Sequence, residues 1–581
     1  MLIRLRGPAA ALVLALVAGI AVACGSDSPA ERLAAALTAH EPTTAAPLTT
    51  DPVAASKTLV DTFDGMGDAT VDVEVNDDDT EFTWTWHLPR ERDVSYRTPV
   101  ELDGDKVTWS PTLIHRSMSA GDRLLYSDVK DYETPVTDRQ NRPLLTWREV
   151  TVVSLDAAES ASATELARKL RPVTDGVTAA SIRAELRGKR GPQTVVALRA
   201  ADAERIGSLD GIDGVTTRVE GRLITAYKNL RSPTTNGLEE RWRQVVDAAA
   251  GADVSIVNGD GEPVAEVQKF PGTSPDPVRT TLDVALQQAA TDAVAGEKRP
   301  TMLVAIRPST GGILAVAQND AADEEGPIAL TGLYAPGSTF KTITTAAALR
   351  AGVTTPDARL ACPGEQEFGD RVIPNEDEFD LGTVPLHTAF AQSCNTTMAG
   401  LSTELGDDAL TDTARAFGLG VDYTVPGLTT ITGEVPAASS PAQKVESGIG
   451  QGAVTASPFG MAVVEASLAA RKTVVPSLID GQKTTYDTEP ATISAPIAAA
   501  IRSAMREAVS SGTATSLRDI PGLGGKTGTA EFGDNKHSHG WFAGIDGDLA
   551  FATLVVGGDS STPALKVSGD FLRAAQGDMP R

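Results

Sequence analysis

Cysteine is scarce in this chain: three in 581 residues, at positions 24, 362 and 394. A fold stapled by several disulfides is therefore excluded. Six scattered histidines and so few cysteines make no ligand cluster of zinc spacing, so neither a metal nor a cofactor is expected. Positive charge is short as well. Lys and Arg number 51 against 77 Asp and Glu, leaving a net charge of −26 with no long basic run to offset it. That balance opposes tight binding to nucleic acid or to an anionic membrane face. The apolar run from Pro8 to Ala23 is shorter than the roughly 20 residues a spanning helix needs. A dinucleotide loop is missing too. Gly448-Ile449-Gly450-Gln451-Gly452 has the wrong spacing and no surrounding βαβ unit, and reads as a glycine turn ahead of a helix capped by Ser457-Pro458.

What is present begins with an export pattern. Arg4 and Arg6 precede the apolar run, which closes on Ala21-Val22-Ala23-Cys24. The segment resembles a lipoprotein signal over residues 1–24, with cleavage before Cys24 and lipid attachment to it, an uncleaved anchor being the alternative. Either way the body of the chain lies outside the membrane. Two readings stay open for Cys362 and Cys394: one disulfide, or two buried thiols. The length and a hydrophobic content of 41% suit a globular chain of several domains.

One stretch organises the rest. Pro336-Gly337 is loop-forming, and Phe340, Ile343, Ala346, Ala347 and Leu349 recur at helical spacing after it. A mostly buried helix is expected to begin near Ser338 and to end at Gly352. Residues three apart share a helix face, so the Lys341 amine is expected beside the Ser338 hydroxyl, and a lysine desolvated by burial can act as its base. Ser-x-x-Lys alone is common by chance. Ser393-Cys394-Asn395 and Lys526-Thr527-Gly528 follow it in order, and the ordered set of Ser-x-x-Lys, Ser-x-Asn and Lys-Thr-Gly is the signature of penicillin-binding proteins and class A β-lactamases.

On these motifs, and on Thr281 to Gln288, Ala305 to Ala315 and Gly448 to Gly452, the chain resembles the class B penicillin-binding proteins, the monofunctional peptidoglycan D,D-transpeptidases. The resemblance covers about the last three hundred residues. It implies a multidomain α+β chain: a domain related to nuclear transport factor 2 (NTF2-like) over 25–136, an elongated pedestal or dimerisation-type domain over 137–275, and a transpeptidase domain over 276–581. The last is expected to hold a central antiparallel sheet flanked by helices, with an all-helical subdomain inserted. The resemblance also implies roles. Ser338 is the nucleophile, Lys341 its base, Ser393 the proton relay and Lys526 the positive charge near the substrate carboxylate and the Ser393 network. Asn395 holds the donor peptide, the Thr527 and Thr529 hydroxyls take the carboxylate, and the N–H groups of Ser338 and Thr529 form an oxyanion hole. Gly525 and Gly528 are expected to keep the strand open where substrate backbone approaches.

The reaction so implied is cross-linking of stem peptides ending in D-Ala-D-Ala through an acyl-enzyme, with acylation by β-lactams. A D,D-carboxypeptidase or serine β-lactamase of the same fold, or a non-catalytic wall-synthesis scaffold, are the alternatives. No Glu-x-x-Leu-Asn stretch lies between Asn395 and Lys526, which leaves the deacylating glutamate of class A β-lactamases without a candidate. No glycosyltransferase motif is recognisable, so a separate glycosyltransferase and other elongasome or divisome proteins are expected partners. The expected location is the outer face of a bacterial cell membrane, through a lipid or an N-terminal anchor.

Elsewhere the punctuation is ordinary. Glu81 to Leu88 alternates as a strand, with Trp84, Trp86 and His87 as core or sheet-face residues. Asp283 is an expected cap for a helix from Val284 to Ala295. Hairpins are expected around Pro308 to Gly311 and around Asp546-Gly547. His537 and His539 read as a solvated loop.

Overall fold

The computed structural model describes residues 27–174, 176–533 and 537–577. The apolar leader and Cys24 lie outside the described residues. The chain forms two compact units: residues up to Lys130 together with Ala250–Thr273, and Asp131–Ala249 together with Ser274 onward.

In the first unit, strands Thr70–Val75, Glu81–Leu88 and Arg92–Pro99 pair in that order, all antiparallel. Alternation along the middle strand turns Phe82, Trp84, Trp86 and Leu88 into the core. The two indoles keep their N–H groups satisfied there: Trp84 Nε1 donates to Thr98 Oγ1 and Trp86 Nε1 to the Tyr96 hydroxyl, each at 3.0 Å. His87 stands on the outer face between Asp72 and Asp93, 3.1 and 2.8 Å away. A second antiparallel sheet orders Pro263–Phe270, Gly251–Val257 and Arg123–Val129. Residues 250–273 therefore belong to this unit, although the sequence reading left them in the 137–275 segment. Pairing between strands this distant leaves no mark on local composition.

The second unit carries Pro143–Asp156, which pairs with Val215–Thr225 along 11 residues and with Pro192–Arg199 on its other edge. Its C-terminal part is built on one antiparallel sheet. Strands β1 (Thr301–Ile306), β2 (Ile313–Gln318), β3 (Gly524–Phe532), β4 (His537–Asp546) and β5 (Leu549–Val555) lie in the order β2-β1-β5-β4-β3. Both ends of the domain thus meet in its centre. Every residue of β1, β2 and β5 is buried, and alternation sorts them between two cores. Met302, Val304, Ile306, Ala552 and Leu554 face one; Leu303, Ala305, Phe551 and Val555 face the other.

The second core is closed by α1 (Val284–Ala295), which Asp283 caps as expected by accepting from the N–H groups of Ala285 and Leu286 at 2.9 and 3.2 Å. The first core holds α2 (Lys341–Ala351), α3 (Leu386–Ala391), α4 (Asn395–Thr403), α5 (Pro458–Ala470) and α6 (Ala495–Ser510). Gly352 ends α2 in the left-handed conformation at φ +71°. The inserted subdomain is not all-helical. Short antiparallel pairs join Arg359–Cys362 to Gly382–Pro385 and Glu365–Phe368 to Arg371–Pro374. These strands are short, polar and largely exposed, so their alternation buries too little to stand out in sequence.

Candidate active site

The turn that presents Ser338 is a close meeting of three backbones. Gly337–Phe340 is a single 3₁₀ turn leading into α2. Gly337 sits at φ +51° and donates its N–H to Gly450 O at 2.9 Å. A Cβ on Gly450 would lie 2.1 Å from Gly337 O, and one on Gly337 would lie 2.5 Å from Thr529 O. Only glycine lets the 448–452 loop, the nucleophile turn and β3 come this near. Ser338 remains half-buried at the wall of a cleft of about 1130 Å³, which Ser393, Asn395, Thr527 and Thr529 also line.

Behind that wall lie two fully buried lysines. Lys341 Nζ donates to Asn395 Oδ1 at 2.6 Å, to Ser393 O at 2.8 Å and to Ser393 Oγ at 3.2 Å. Among the described residues no hydrogen bond reaches the Ser338 hydroxyl, so the amine one turn away is engaged with the second motif. Burial holds the Lys341 amine well below the usual lysine range; the like charge of Lys526 acts the same way, and Glu376 opposes both. Burial likewise brings Lys526 down to about 7, again against Glu376. Lys526 Nζ donates to Thr527 O at 2.9 Å and lies 5.8 Å from the centre of the Phe390 ring. Its direct partner is Thr527 rather than the expected Ser393.

Ser393 occupies the tight link between α3 and α4 at φ +62°, a conformation that costs a residue with a side chain about 1–3 kcal/mol unless its surroundings enforce it. The surroundings do. Ser393 N–H donates to Phe390 O at 3.0 Å and Cys394 N–H to Ala389 O at 2.8 Å. Cys394 is joined in a disulfide to Cys362 with their Cα atoms 6.1 Å apart, which resolves the two readings left open for this pair. Asn375 completes the clamp. Its Oδ1 accepts from the N–H groups of Asn395 and Thr396 at 2.8 and 3.2 Å, the free donors of the first turn of α4. Its Nδ2 donates to Pro363 O and Phe379 O, each at 2.8 Å. Asn395 Nδ2 in turn donates to Pro374 O at 2.9 Å.

Asn375 and Thr513, whose hydroxyl lies 2.6 Å from that of Thr527, both escaped the sequence reading. Neither sits in a recognisable motif, so no local signal could have found them. The expected reason for the strand glycines also changes. A Cβ on Gly525 would meet the Phe542 ring at 2.3 Å, and one on Gly528 would meet Pro336 O at 2.9 Å. Both are small so that the protein can pack against itself. His537 and His539 start β4 and are not in a loop. His537 is exposed and 3.2 Å from Asp559. His539 is buried, stacked on Phe532 at 4.2 Å, and desolvation lowers it to about 4. Among the described residues no group of three or more His, Cys, Asp or Glu side chains could hold a metal ion, and no helix is long and apolar enough to cross a membrane.

The arrangement offers a hydroxyl nucleophile, a buried amine able to stay neutral, and a row of threonine hydroxyls on an adjacent strand, which together suit acyl transfer. Residues 301–575 match the penicillin binding protein transpeptidase domain. The chain is 31% identical over 389 residues to peptidoglycan D,D-transpeptidase PbpA of Mycobacterium tuberculosis (strain ATCC 25618 / H37Rv), covering 56% of this chain and 77% of that protein. It is 33% identical over 377 residues to PbpA of Mycolicibacterium smegmatis (strain ATCC 700084 / mc(2)155), covering 53% and 74%. A solved structure described as "Structural coordination of polymerization and crosslinking by a peptidoglycan synthase complex" superposes with a TM-score of 0.58 at 24% identity, covering 80% of this chain and 93% of that one. At that identity the likeness is one of fold.

Proposed function

Since this chain belongs to the peptidoglycan D,D-transpeptidases, the class B penicillin-binding proteins, we propose that it cross-links stem peptides through an acyl-enzyme on Ser338. The observation that carries the assignment is the buried Lys341 amine, which touches both Ser393 Oγ and Asn395 Oδ1. Neutral Lys341 takes the Ser338 proton as Oγ attacks the penultimate D-alanyl carbonyl. The new ester C–O bond forms, the C–N bond to the terminal D-alanine breaks, and the departing amine receives a proton by way of Ser393. In the second half, the neutral amine of a neighbouring stem peptide attacks the ester, the amide C–N bond forms, the acyl C–O bond to Ser338 breaks, and the amine's proton passes to the Ser338 oxygen.

Asn395 holds the donor peptide. Lys526 supplies positive charge to the terminal carboxylate, which the Thr527 and Thr529 hydroxyls bind, while Gly528 keeps β3 close to the Ser338 turn. The N–H groups of Ser338 and Thr529 receive the oxyanion, each such donor being worth about 3 kcal/mol of barrier. β-Lactams acylate the same serine. Mass spectrometry after penicillin treatment is expected to find the adduct on Ser338 and none in Ser338→Ala; an adduct elsewhere overturns the assignment. A D-Ala-D-Ala thioester offered with and without an acceptor amine separates transfer from hydrolysis.

The remaining chain is assigned more coarsely. The first unit, with its tryptophan-rich sheet, is an NTF2-like domain, and the following region is a pedestal that carries the transpeptidase domain outward. Cys24 is lipidated and holds the enzyme on the outer face of the membrane, where a separate glycosyltransferase supplies glycan strands. Incorporation of labelled palmitate, lost in Cys24→Ser, is the expected result for the anchor; equal labelling of both proteins would refute it.

A further inference from the structure

An acyl-enzyme awaiting a stem-peptide amine faces an electrostatic difficulty in this site. The acceptor arrives as an ammonium ion, and Lys341 and Lys526 are the amines immediately behind the reacting centre. Any positive charge they carry, that of Lys526 above all, opposes an arriving cation unless an anion faces it. The cleft wall offers four carboxylates, Glu376, Glu446, Glu531 and Asp559, the last of them 3.2 Å from His537. Glu446 is paired with Arg371 at 2.6 Å. Glu531 lies on β3 two residues beyond Thr529, along the strand expected to carry the donor peptide.

Glu376 and Glu531 are both exposed in the cleft, and among the described residues no ion pair engages either; Glu376 differs from Glu531 in lying off the donor strand, beside the Asn375 clamp. Its place is set by its neighbours: Pro374 O takes Asn395 Nδ2 at 2.9 Å, and Asn375 Oδ1 takes Asn395 N–H at 2.8 Å. Beyond it, Asp377 and Glu378 both stand at φ +53°, so the backbone turns sharply just after the carboxylate. Glu376 is thus the residue next to a clamp on the amide that binds Lys341. Its charge acts on both lysines, favouring their protonated forms.

We propose that Glu376 is a specificity residue for the second half-reaction, binding the incoming primary ammonium of the acceptor stem peptide beside the Ser338 ester, where the ammonium gives up one proton to solvent and attacks as the neutral amine. The inference rests on the transpeptidase reading above. Glu376 forms no covalent bond. Its work is electrostatic, so it discriminates cationic acceptors from neutral ones and leaves the acylation half-reaction aside.

The test uses the full chain, a D-Ala-D-Ala thioester donor and two acceptors: Nα-acetyl-lysine, a cationic amine, and hydroxylamine, neutral near pH 7.5. In Glu376→Gln the half-saturating concentration of Nα-acetyl-lysine is expected to rise about fivefold, the range of a partly exposed charge pair. Hydroxylamine capture and labelling by a fluorescent penicillin stay within about twofold on the same scale. Glu376→Asp is expected to recover most of the loss and Glu376→Lys to deepen it. Equal losses with both acceptors, or loss of penicillin labelling to the same degree, would reduce Glu376 to a structural or counter-ion residue and overturn the proposal. A variant that transfers to Nα-acetyl-lysine as well as the wild type overturns it alone. A wild type that is acylated yet passes the acyl group only to water overturns the transfer reading as well, so the two failures are distinguishable.

Discussion

Asn375 holds Asn395 from behind, its Oδ1 accepting the Asn395 N–H at 2.8 Å, while the Asn395 side chain takes the buried Lys341 amine at 2.6 Å. A residue outside all three motifs thereby sets where a motif residue stands. Removing it leaves two N–H groups of α4 and the Phe379 carbonyl without this partner, while Pro363 O keeps only the Thr396 hydroxyl. Asn375→Ala is expected to lose about 1–3 kcal/mol of stability, the usual cost of stranded buried polar groups. Penicillin acylation should slow by on the order of tenfold to a hundredfold through misplacement of the Lys341 amine. Chemical denaturation and stopped-flow acylation measure the two, and an acylation rate that does not move would show that Asn395 needs no such support.

The pH dependence of acylation follows from the two lysines. Lys341 acts as a base only when neutral, and burial lowers its pKa, so acylation should fall on acidification as the amine takes up a proton. Lys526 acts in the opposite sense. It attracts the substrate carboxylate only when protonated and is brought down to about 7, so binding should weaken as pH rises through that value. The second-order acylation rate is expected to trace a bell. In Lys526→Arg, whose guanidinium stays charged, the alkaline limb should flatten; a limb that persists unchanged would assign it to another group.

Glu465 on α5 is fully buried beside the nucleophile helix, its Oε1 accepting from Thr342 Oγ1 at 3.4 Å and its Oε2 without a partner among the described residues. Burial raises it to about 8. The folded state therefore keeps a proton that the unfolded chain releases from about 4.5 upward, and stability falls as pH rises between those values. Glu465→Gln removes that slope. The variant should match the wild type at about pH 5 and exceed it by on the order of 3 kcal/mol at about pH 8. Parallel melting-temperature curves for the two proteins would show that the carboxyl is ionised in the folded state.

The disulfide closes a loop with a sequence separation of 32. A bridge over such a loop contributes about 3–4 kcal/mol by restricting the unfolded chain. Replacing both Cys362 and Cys394 by serine should cost an amount of that order in denaturant melts. Because Cys394 adjoins Ser393 in its left-handed conformation, acylation should slow as well. A stability loss with full acylation would confine the bridge to stapling.

Much of this was legible in the sequence, for a physical reason. Ser338 in its 3₁₀ turn, Lys341 at the start of α2 and Gly352 at its end follow one another along a continuous helical stretch, and Asp283 caps a helix that starts at the next residue; interactions of three or four residues' range are written directly in the order of side chains. The hairpins at Gly311 and Gly547 are equally local, both at positive φ.

What only the tertiary structure decided is where distant segments meet. The Lys341 bond to Asn395, the Asn375 clamp, the disulfide between Cys362 and Cys394, and the return of residues 250–273 to the first unit all join residues far apart along the chain. Such contacts depend on how each unit closes its own sheets and cores, which no local pattern encodes. The chemistry of each motif therefore belonged to the sequence, and the geometry that makes the motifs one site belonged to the fold.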